Sequence, residues 1–481
     1  RERALRFFSR KTVSEARSAE QNQNSLSKVL GPVSLTALGV GAVIGSGIFV
    51  VTGVVAAVYT GPAVVLSFII AGLGCLFAGF CYAELSSMIP ASGGSYSYTY
   101  VTMGRGAAWL IAWILILEYL VASAFIAVGW SGYFSSFIQS FGWNIPENLR
   151  TAPLDFADGF SLVTTGSIIN LPATMLILVI TAILILGVRQ SAFASNMMVL
   201  IKLSIILLFI AAGAFYVNTD NWIPFVPDNS GVFGEYGWSG IMRGAGVVFI
   251  SYLGFDAVTT ASEEAHTPER DMPIAIIGTL AICTGLYVAV AAILTGLVSY
   301  KKLNVPDPIF VGVDAVSPAL AWLAPLINIG AMVGLASATF VLIFAQPRIF
   351  HAMSRDGLMP KFFSTVHPKF STPFWGILIT GLSAAVLASL FPISVLAELV
   401  AIGTLFAFIV VCISVIILRK REPDVKRPFS VPFYPYVPVL GILTCGYMML
   451  SLPFATWLRL IIWMAMGLIV YFAYNMRKRE N

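Results

Sequence analysis

The chain has 481 residues, 58% of them hydrophobic and only 11% charged, with a mean hydropathy of +0.88 and a net charge of +5. Soluble domains carry roughly 25% charged residues. A chain this poor in charge cannot coat its own surface for water, which excludes a string of soluble domains and points to lipid as the solvent. The five cysteines (Cys75, Cys81, Cys283, Cys412, Cys445) lie in apolar runs and form no CxxC, so neither a disulfide framework nor a zinc site is expected. Residues 1–30 are polar and lack an apolar h-region, so no cleaved signal peptide is expected.

A membrane-spanning helix needs about 20 mostly apolar residues. Twelve segments qualify in chain order: 33–58, 62–88, 106–138, 168–187, 194–217, 239–261, 273–298, 313–345, 374–390, 393–418, 433–453 and 455–475. Continuous apolar character at this length argues against barrel strands, which alternate in short segments. The expected fold class is therefore an all-α membrane protein with 12 transmembrane helices. Orientation follows from the basic residues. With the N-terminus inside, 22 of the 28 lysines and arginines fall in cytoplasmic loops and tails. Three (Arg150, Lys301, Lys302) fall outside, and Lys202, Arg243 and Arg459 lie within spans. Both termini are expected in the cytoplasm of a multi-pass protein of the cell (inner or plasma) membrane. The proline-rich stretch 423–438 reads as an irregular connector.

The first five spans and the next five have similar spacing. Five is odd, so the second set must be inverted relative to the first, as in several transporter folds. The expected organisation is a cytoplasmic segment 1–30, a first repeat 31–218, an inverted second repeat 239–418, two further helices within 433–475, and a tail 476–481. Glycine clusters in the first span of each repeat: Gly39, Gly41, Gly45, Gly47 and Gly53, then Gly240, Gly244, Gly246 and Gly254. Each interior glycine costs a helix about 1 kcal/mol against alanine. Glycine-interrupted segments at matching positions point to a midplane binding site. There, freed N–H groups hold a carboxylate and freed carbonyls hold an ammonium or a sodium ion. Close helix packing through small residues is the alternative use of the same glycines. A dinucleotide loop is excluded, because Gly39 to Ile44 lacks the third glycine and follows no strand.

Particular residues carry a resemblance. Gly39-Val40-Gly41-Ala42-Val43-Ile44-Gly45-Ser46-Gly47-Ile48-Phe49 resembles the first-helix signature of the amino acid–polyamine–organocation superfamily. Tyr82-Ala83-Glu84-Leu85 with Pro90 and Ser92-Gly93-Gly94-Ser95 resembles its loop between helices 2 and 3. Tyr252-Leu253-Gly254-Phe255-Asp256 with Glu263-Glu264, Pro268 and Arg270-Asp271-Met272-Pro273 resembles its sixth-helix region. Arg348, Ser354-Arg355-Asp356-Gly357 and Pro360 resemble the loop after helix 8. The chain most resembles bacterial members of the cationic amino acid transporter subfamily. The resemblance implies a leucine-transporter-like fold of five plus five inverted helices with discontinuous helices 1 and 6. It places a substrate carboxylate at the Ser46 hydroxyl and the N–H groups of Ser46 and Gly47, beside Ile44. It places the ammonium at the carbonyls of Val43, Ile250 and Leu253. Relatives often carry an aromatic lid at the position of Ile250. Here the aromatic is the adjacent Phe249, which faces about 100° away on a helix.

Charges in hydrocarbon are functional candidates by default. Lys202 lies inside the fifth span. It either snorkels to the surface or places its ammonium where a coupling sodium would sit between helices 1 and 8, as similar transporters do, with Ser337 and Thr339 completing the site. A buried ammonium is destabilised relative to water, so such a lysine can exchange a proton during transport. Glu118, deep in the third span, belongs to the pocket or proton pathway, or else makes a structural hydrogen bond. Asp256 either draws a basic substrate or pins the unwound segment. Glu84, Glu263, Glu264, Arg348, Arg355 and Asp356 lie near cytoplasmic ends, as an inner gate of ion pairs or as solvated loop charge. His266, His351 and His367 lack ligand spacing, so no metal is expected. Trp109, Trp222, Trp238 and Trp457 lie near span ends, as in an aromatic belt.

The leading expectation is a secondary active amino-acid transporter, a proton-coupled symporter working by alternating access, with an exchanger of the same fold as the alternative. A membrane enzyme would want an intramembrane nucleophile–base pair or metal set, and no histidine lies in a span. A channel would lack a closed zwitterion site. No cofactor is expected beyond protons as coupling ion. The partners are cationic or small neutral amino acids and the bilayer, with no nucleic acid; a small single-span membrane partner is not excluded.

Overall fold

A computed structural model describes residues 9–18, 28–157, 161–305, 308–368, 372–450 and 454–477. The remainder of the expected terminal segments 1–30 and 476–481 lies outside the described residues. Among the described residues twelve principal helices follow in order: α1 (Pro32–Val43), α2 (Val64–Met88), α3 (Arg105–Ser140), α4 (Leu171–Ile185), α5 (Val188–Gly213) and α6 (Gly237–Val248). Then come α7 (Pro268–Leu297), α8 (Ala324–Arg355), α9 (Phe374–Leu390), α10 (Ile393–Arg421), α11 (Tyr436–Leu450) and α12 (Phe454–Arg477). Among the described residues, eight helical stretches are long and apolar enough to cross a membrane, one of them (Pro32–Met88) holding both α1 and α2. The helices α4, α9 and α11 are apolar but shorter.

Local chemistry sets the ends. Proline opens α1 and α7, where its missing N–H is one of the orphan donors anyway. The Asn170 side chain caps α4 by accepting from the N–H of Ala173 at 3.2 Å. Arg419, Lys420 and Arg421 close α10, complementing its negative dipole end. The expected eighth span, 313–345, is displaced: residues Pro308–Asp314 form a separate short helix, and α8 runs from Ala324 to Arg355. Pro318 cannot continue a helix through this stretch. A small antiparallel pair, β1 (Leu154–Ala157) and β2 (Ser161–Thr164), which the sequence reading did not anticipate, sits in the loop between α3 and α4 with Leu154 opposite Thr164.

Helix α2 packs on α7, α3 on α8 and α4 on α9. Helix α7 also packs on α1 and α2 on α6, while α3 packs on α10 and α8 on α5. Helix α11 lies against α10 and α2, and α12 against α3 and α10. Close packing uses some of the clustered glycines: a Cβ at Gly39 would come within 2.2 Å of Thr279 Oγ1 on α7. Trp109 is no interface anchor. It is buried, and its Nε1 donates to the Gly467 carbonyl at 2.8 Å, tying α3 to α12 in a stack with Trp113 and Trp463.

Candidate functional site

Two main-chain breaks face each other. Helix α1 stops at Val43; Ile44 is extended (φ −78°, ψ 100°), and wide helical turns resume over Gly47–Val51. Helix α6 stops at Val248 and tightens into a 3-10 turn, Phe249–Tyr252. Leu253 is then extended (φ −57°, ψ 140°) and Gly254 left-handed (φ 100°), before a second 3-10 segment, Phe255–Glu264. Left-handed backbone disfavours any residue with a Cβ, and a Cβ at Gly254 would also lie 2.9 Å from Ala42 Cβ. At Gly47 a Cβ would stand 2.4 Å from Ser251 Cβ, so the breaks touch there. Ser46, Ile250 and Leu253 stay partly accessible, whereas Val43, Ile44, Gly47 and Phe249 are buried. Phe249 turns away onto Phe408, with ring centroids 5.8 Å apart. Ile250, rather than the aromatic beside it, is therefore left to border the accessible space at the break.

Lys202 does not snorkel. Its side chain is fully buried, and its ammonium donates to the carbonyls of Val40 (3.0 Å), Gly41 (2.9 Å) and Ile44 (2.7 Å) and to Ser337 Oγ (2.7 Å). Val40 O also accepts the Ile44 N–H at 3.0 Å in the last turn of α1, whereas the Gly41 and Ile44 carbonyls lie where the helix ends and its N–H donors run out. Ser337 on α8 donates its own hydroxyl hydrogen bond to the Gly41 or Gly334 carbonyl, at 3.1 and 3.0 Å. Thr339 departs from expectation: its hydroxyl bonds back to Leu335 O at 3.0 Å within α8 and stays out of the lysine site.

Tyr287 on α7 escaped the sequence reading. Its hydroxyl lies 2.8 Å from Val43 O and 2.5 Å from Ser251 O, bridging the two breaks. It therefore occupies one carbonyl expected to receive a substrate ammonium, although a carbonyl has room for a second donor. The available signal was a phenol at hydrocarbon depth, which needs a partner when buried. Tyr252 fastens the α6 break to α2 through Phe68 O at 2.9 Å. Asp256 accepts from Tyr119 OH at 2.7 Å, which pins the unwound segment, while its other oxygen lacks a partner. Glu118 is buried beside Asp256 and Thr404, again with one oxygen unpartnered.

The end of the bundle bearing the N-terminal segment is closed by ion pairs. Arg348 Nε meets Glu264 at 2.5 Å, both fully enclosed, and Arg348 also donates to Phe344 O. Arg355 pairs with Glu263, which also accepts from the Ser92 N–H at 2.9 Å. Asp356 pairs with Lys11 and accepts from Tyr96 OH at 2.6 Å, so the N-terminal segment is tied to the end of α8. Glu84 stands apart from this layer. It is buried and held by Arg419 (2.5 Å), by the Val431 N–H (2.7 Å) and by Arg427 (3.5 Å), clamping the proline-rich connector to α2. Glu84 sits about a turn before the end of α2 and Arg419 in the last turn of α10, and only their packing in the bundle brings them together.

A bundle of apolar helices with broken main chain meeting inside it is the architecture of a multi-pass membrane carrier. The amino acid permease family model matches residues 30–473, and the chain belongs to that family, within the amino acid–polyamine–organocation superfamily of transporters rather than enzymes. The chain is 48% identical over 471 residues to the methylthioribose transporter of Bacillus subtilis (strain 168), covering 97% of both chains. It is 42% identical over 469 residues to that organism's branched-chain amino acid permease BcaP, again covering 97% of both. It is 36% identical to the vacuolar cationic amino acid transporter 4 of Arabidopsis thaliana, over 83% of this chain and 65% of that one.

Proposed function

We propose that this protein is a secondary active amino-acid transporter, a proton-coupled symporter that binds its zwitterionic substrate between the breaks of α1 and α6 and works by alternating access. The observation that carries the reading is the fully buried Lys202 ammonium on three carbonyls of the α1 break and on Ser337 of α8. An ammonium has three donors and a neutral amine two. Deprotonation therefore strips a donor from the break, and Lys202 couples protons to the shape of the site. Ser46 and the N–H groups around Gly47 take the carboxylate; Ile250 and Leu253 offer carbonyls to the ammonium. Glu118 and Asp256, each with an unpartnered oxygen, border the side-chain end and favour substrates that bring donors.

The pairing of counterparts α2–α7, α3–α8 and α4–α9 supports two inverted repeats over 31–218 and 239–418, with α11 and α12 peripheral. The basic-residue asymmetry supports twelve spans in the plasma membrane with both termini inside. The Arg348–Glu264, Arg355–Glu263 and Lys11–Asp356 pairs then form a closed inner gate.

Purified protein in proteoliposomes tests the reading. Uptake into empty vesicles under an inward proton gradient is expected; a strict requirement for amino acid preloaded inside makes it an exchanger instead. The name of the 48% identical Bacillus relative favours a second substrate reading, a neutral methylthio sugar meeting the same main-chain groups through hydroxyls. Thermal stabilisation by a panel of branched-chain, cationic and small amino acids and methylthioribose separates the two, since a bound ligand raises stability by mass action.

A further inference from the structure

We propose that His351 is a second proton-binding site, placed in the inner gate, and that a proton arriving there from the cytoplasm releases the gate. The inference rests on reading the Arg348–Glu264 and Arg355–Glu263 layer as that gate. Arg348, His351 and Arg355 stand at helical spacing on one face of α8, toward the 3-10 segment that carries Glu263 and Glu264. His351 is fully buried, with Arg355, Glu263 and Arg348 as its charged neighbours and the main chain of Phe363 beside it. Neither ring nitrogen makes a well-formed hydrogen bond, the Phe363 main chain offering only a poorly aligned acceptor. Outstanding polar atoms gather in the same layer: Glu263 Oε2, Glu264 Oε2, Arg355 Nη1 and Ser92 Oγ are also buried without partners. Farther out, Lys11 and Asp356 pair with each other, Tyr96 bonds Asp356, and Lys361 is exposed. Helix α9, behind, brings no charge.

The balance of charge sets the direction. Two guanidinium groups answer two carboxylates, so the closed layer is neutral only while the imidazole is neutral. A proton on His351 adds a third cation to an enclosed layer whose carboxylates already have arginine partners. Burying an unpaired charge is costly, and water entering an opened layer relieves that cost. The protonated form therefore populates the open gate. One bound proton of difference between two states shifts their ratio by at most about tenfold per pH unit.

The test uses Ser262→Cys in the full chain as a reporter. Ser262 is fully buried in the gate segment, and the five native cysteines are all buried, so the parent chain gives the background. Labelling by a polar maleimide is measured in purified protein and divided, at each pH, by the rate for the same denatured chain. The normalised rate is expected to rise on acidification with His351 present, by at most about tenfold per pH unit. It is expected to stay flat in both His351→Gln and His351→Leu, either of which suffices if the other folds poorly. An equal rise in chains with and without His351 overturns the proposal, as does a fall or no change with His351 present. Arg355→Ala is the control for the underlying reading. If it exposes the thiol while acid does not, the gate stands and only the sensor fails; if it leaves the thiol shielded, the gate itself was misread.

Discussion

Replacing Lys202 by alanine removes the donor group from four acceptors at once: the carbonyls of Val40, Gly41 and Ile44 and the Ser337 hydroxyl. Hydrogen bonds to a charged group contribute about 1.5–3 kcal/mol each. Losing one on deprotonation shifts the balance between an ordered and a disordered α1 break by about ten- to a hundredfold, since about 1.4 kcal/mol is tenfold. Substrate affinity in the native protein is therefore expected to weaken by that order from acid to alkaline pH, as the ammonium gives way to the amine. In Lys202→Ala, and in the volume-preserving Lys202→Met, affinity should be weak and the same at every pH. The assay is substrate binding to purified protein across pH, beside uptake with and without an imposed proton gradient. A pH dependence that survives unchanged in both variants would refute the coupling role and leave the lysine a structural plug.

Tyr287→Phe removes the hydroxyl that joins Val43 O to Ser251 O and should slow turnover more than it weakens binding, by about 1–3 kcal/mol in the barrier, read as kcat against KM in vesicles. Gly47→Ala places a methyl 2.4 Å from Ser251 Cβ and should abolish uptake at normal expression, with partial recovery in Gly47→Ala/Ser251→Gly. Breaking the enclosed pair by Arg348→Ala strands the Glu264 carboxylate and should lower stability by about 3–5 kcal/mol in a thermal or denaturant assay. Asp356→Asn loses the Lys11 pair, whose side chains are 27% and 11% exposed, and the charge on the Tyr96 hydrogen bond, and should cost about 1–3 kcal/mol in the same assay, less than Arg348→Ala.

Most helix positions, the two breaks and the presence of a lysine within the fifth span were legible in the chain because lipid enforces local rules; the start of α8 was not. Within a bilayer every backbone group must be satisfied inside its own segment, so a span declares itself by apolar length, and an interruption by glycine such as Gly47 and Gly254. What the sequence could not supply were meetings between segments. Whether Lys202 turns inward to Ile44 or outward to the surface is decided by how α5 is rotated against α1. Thr339, two residues from Ser337, is turned about 200° around α8 and faces away by helix geometry alone. Tyr287 reaches Val43 only because α7 packs across both breaks. Glu84 has its arginine partners on α10 and the connector rather than α8, and Trp109 serves α12 rather than a lipid interface. Composition and spacing determine which segments cross and where the main chain is free. The rotation and contact of whole helices, set by side chains hundreds of residues apart, decide which groups fill that freed main chain.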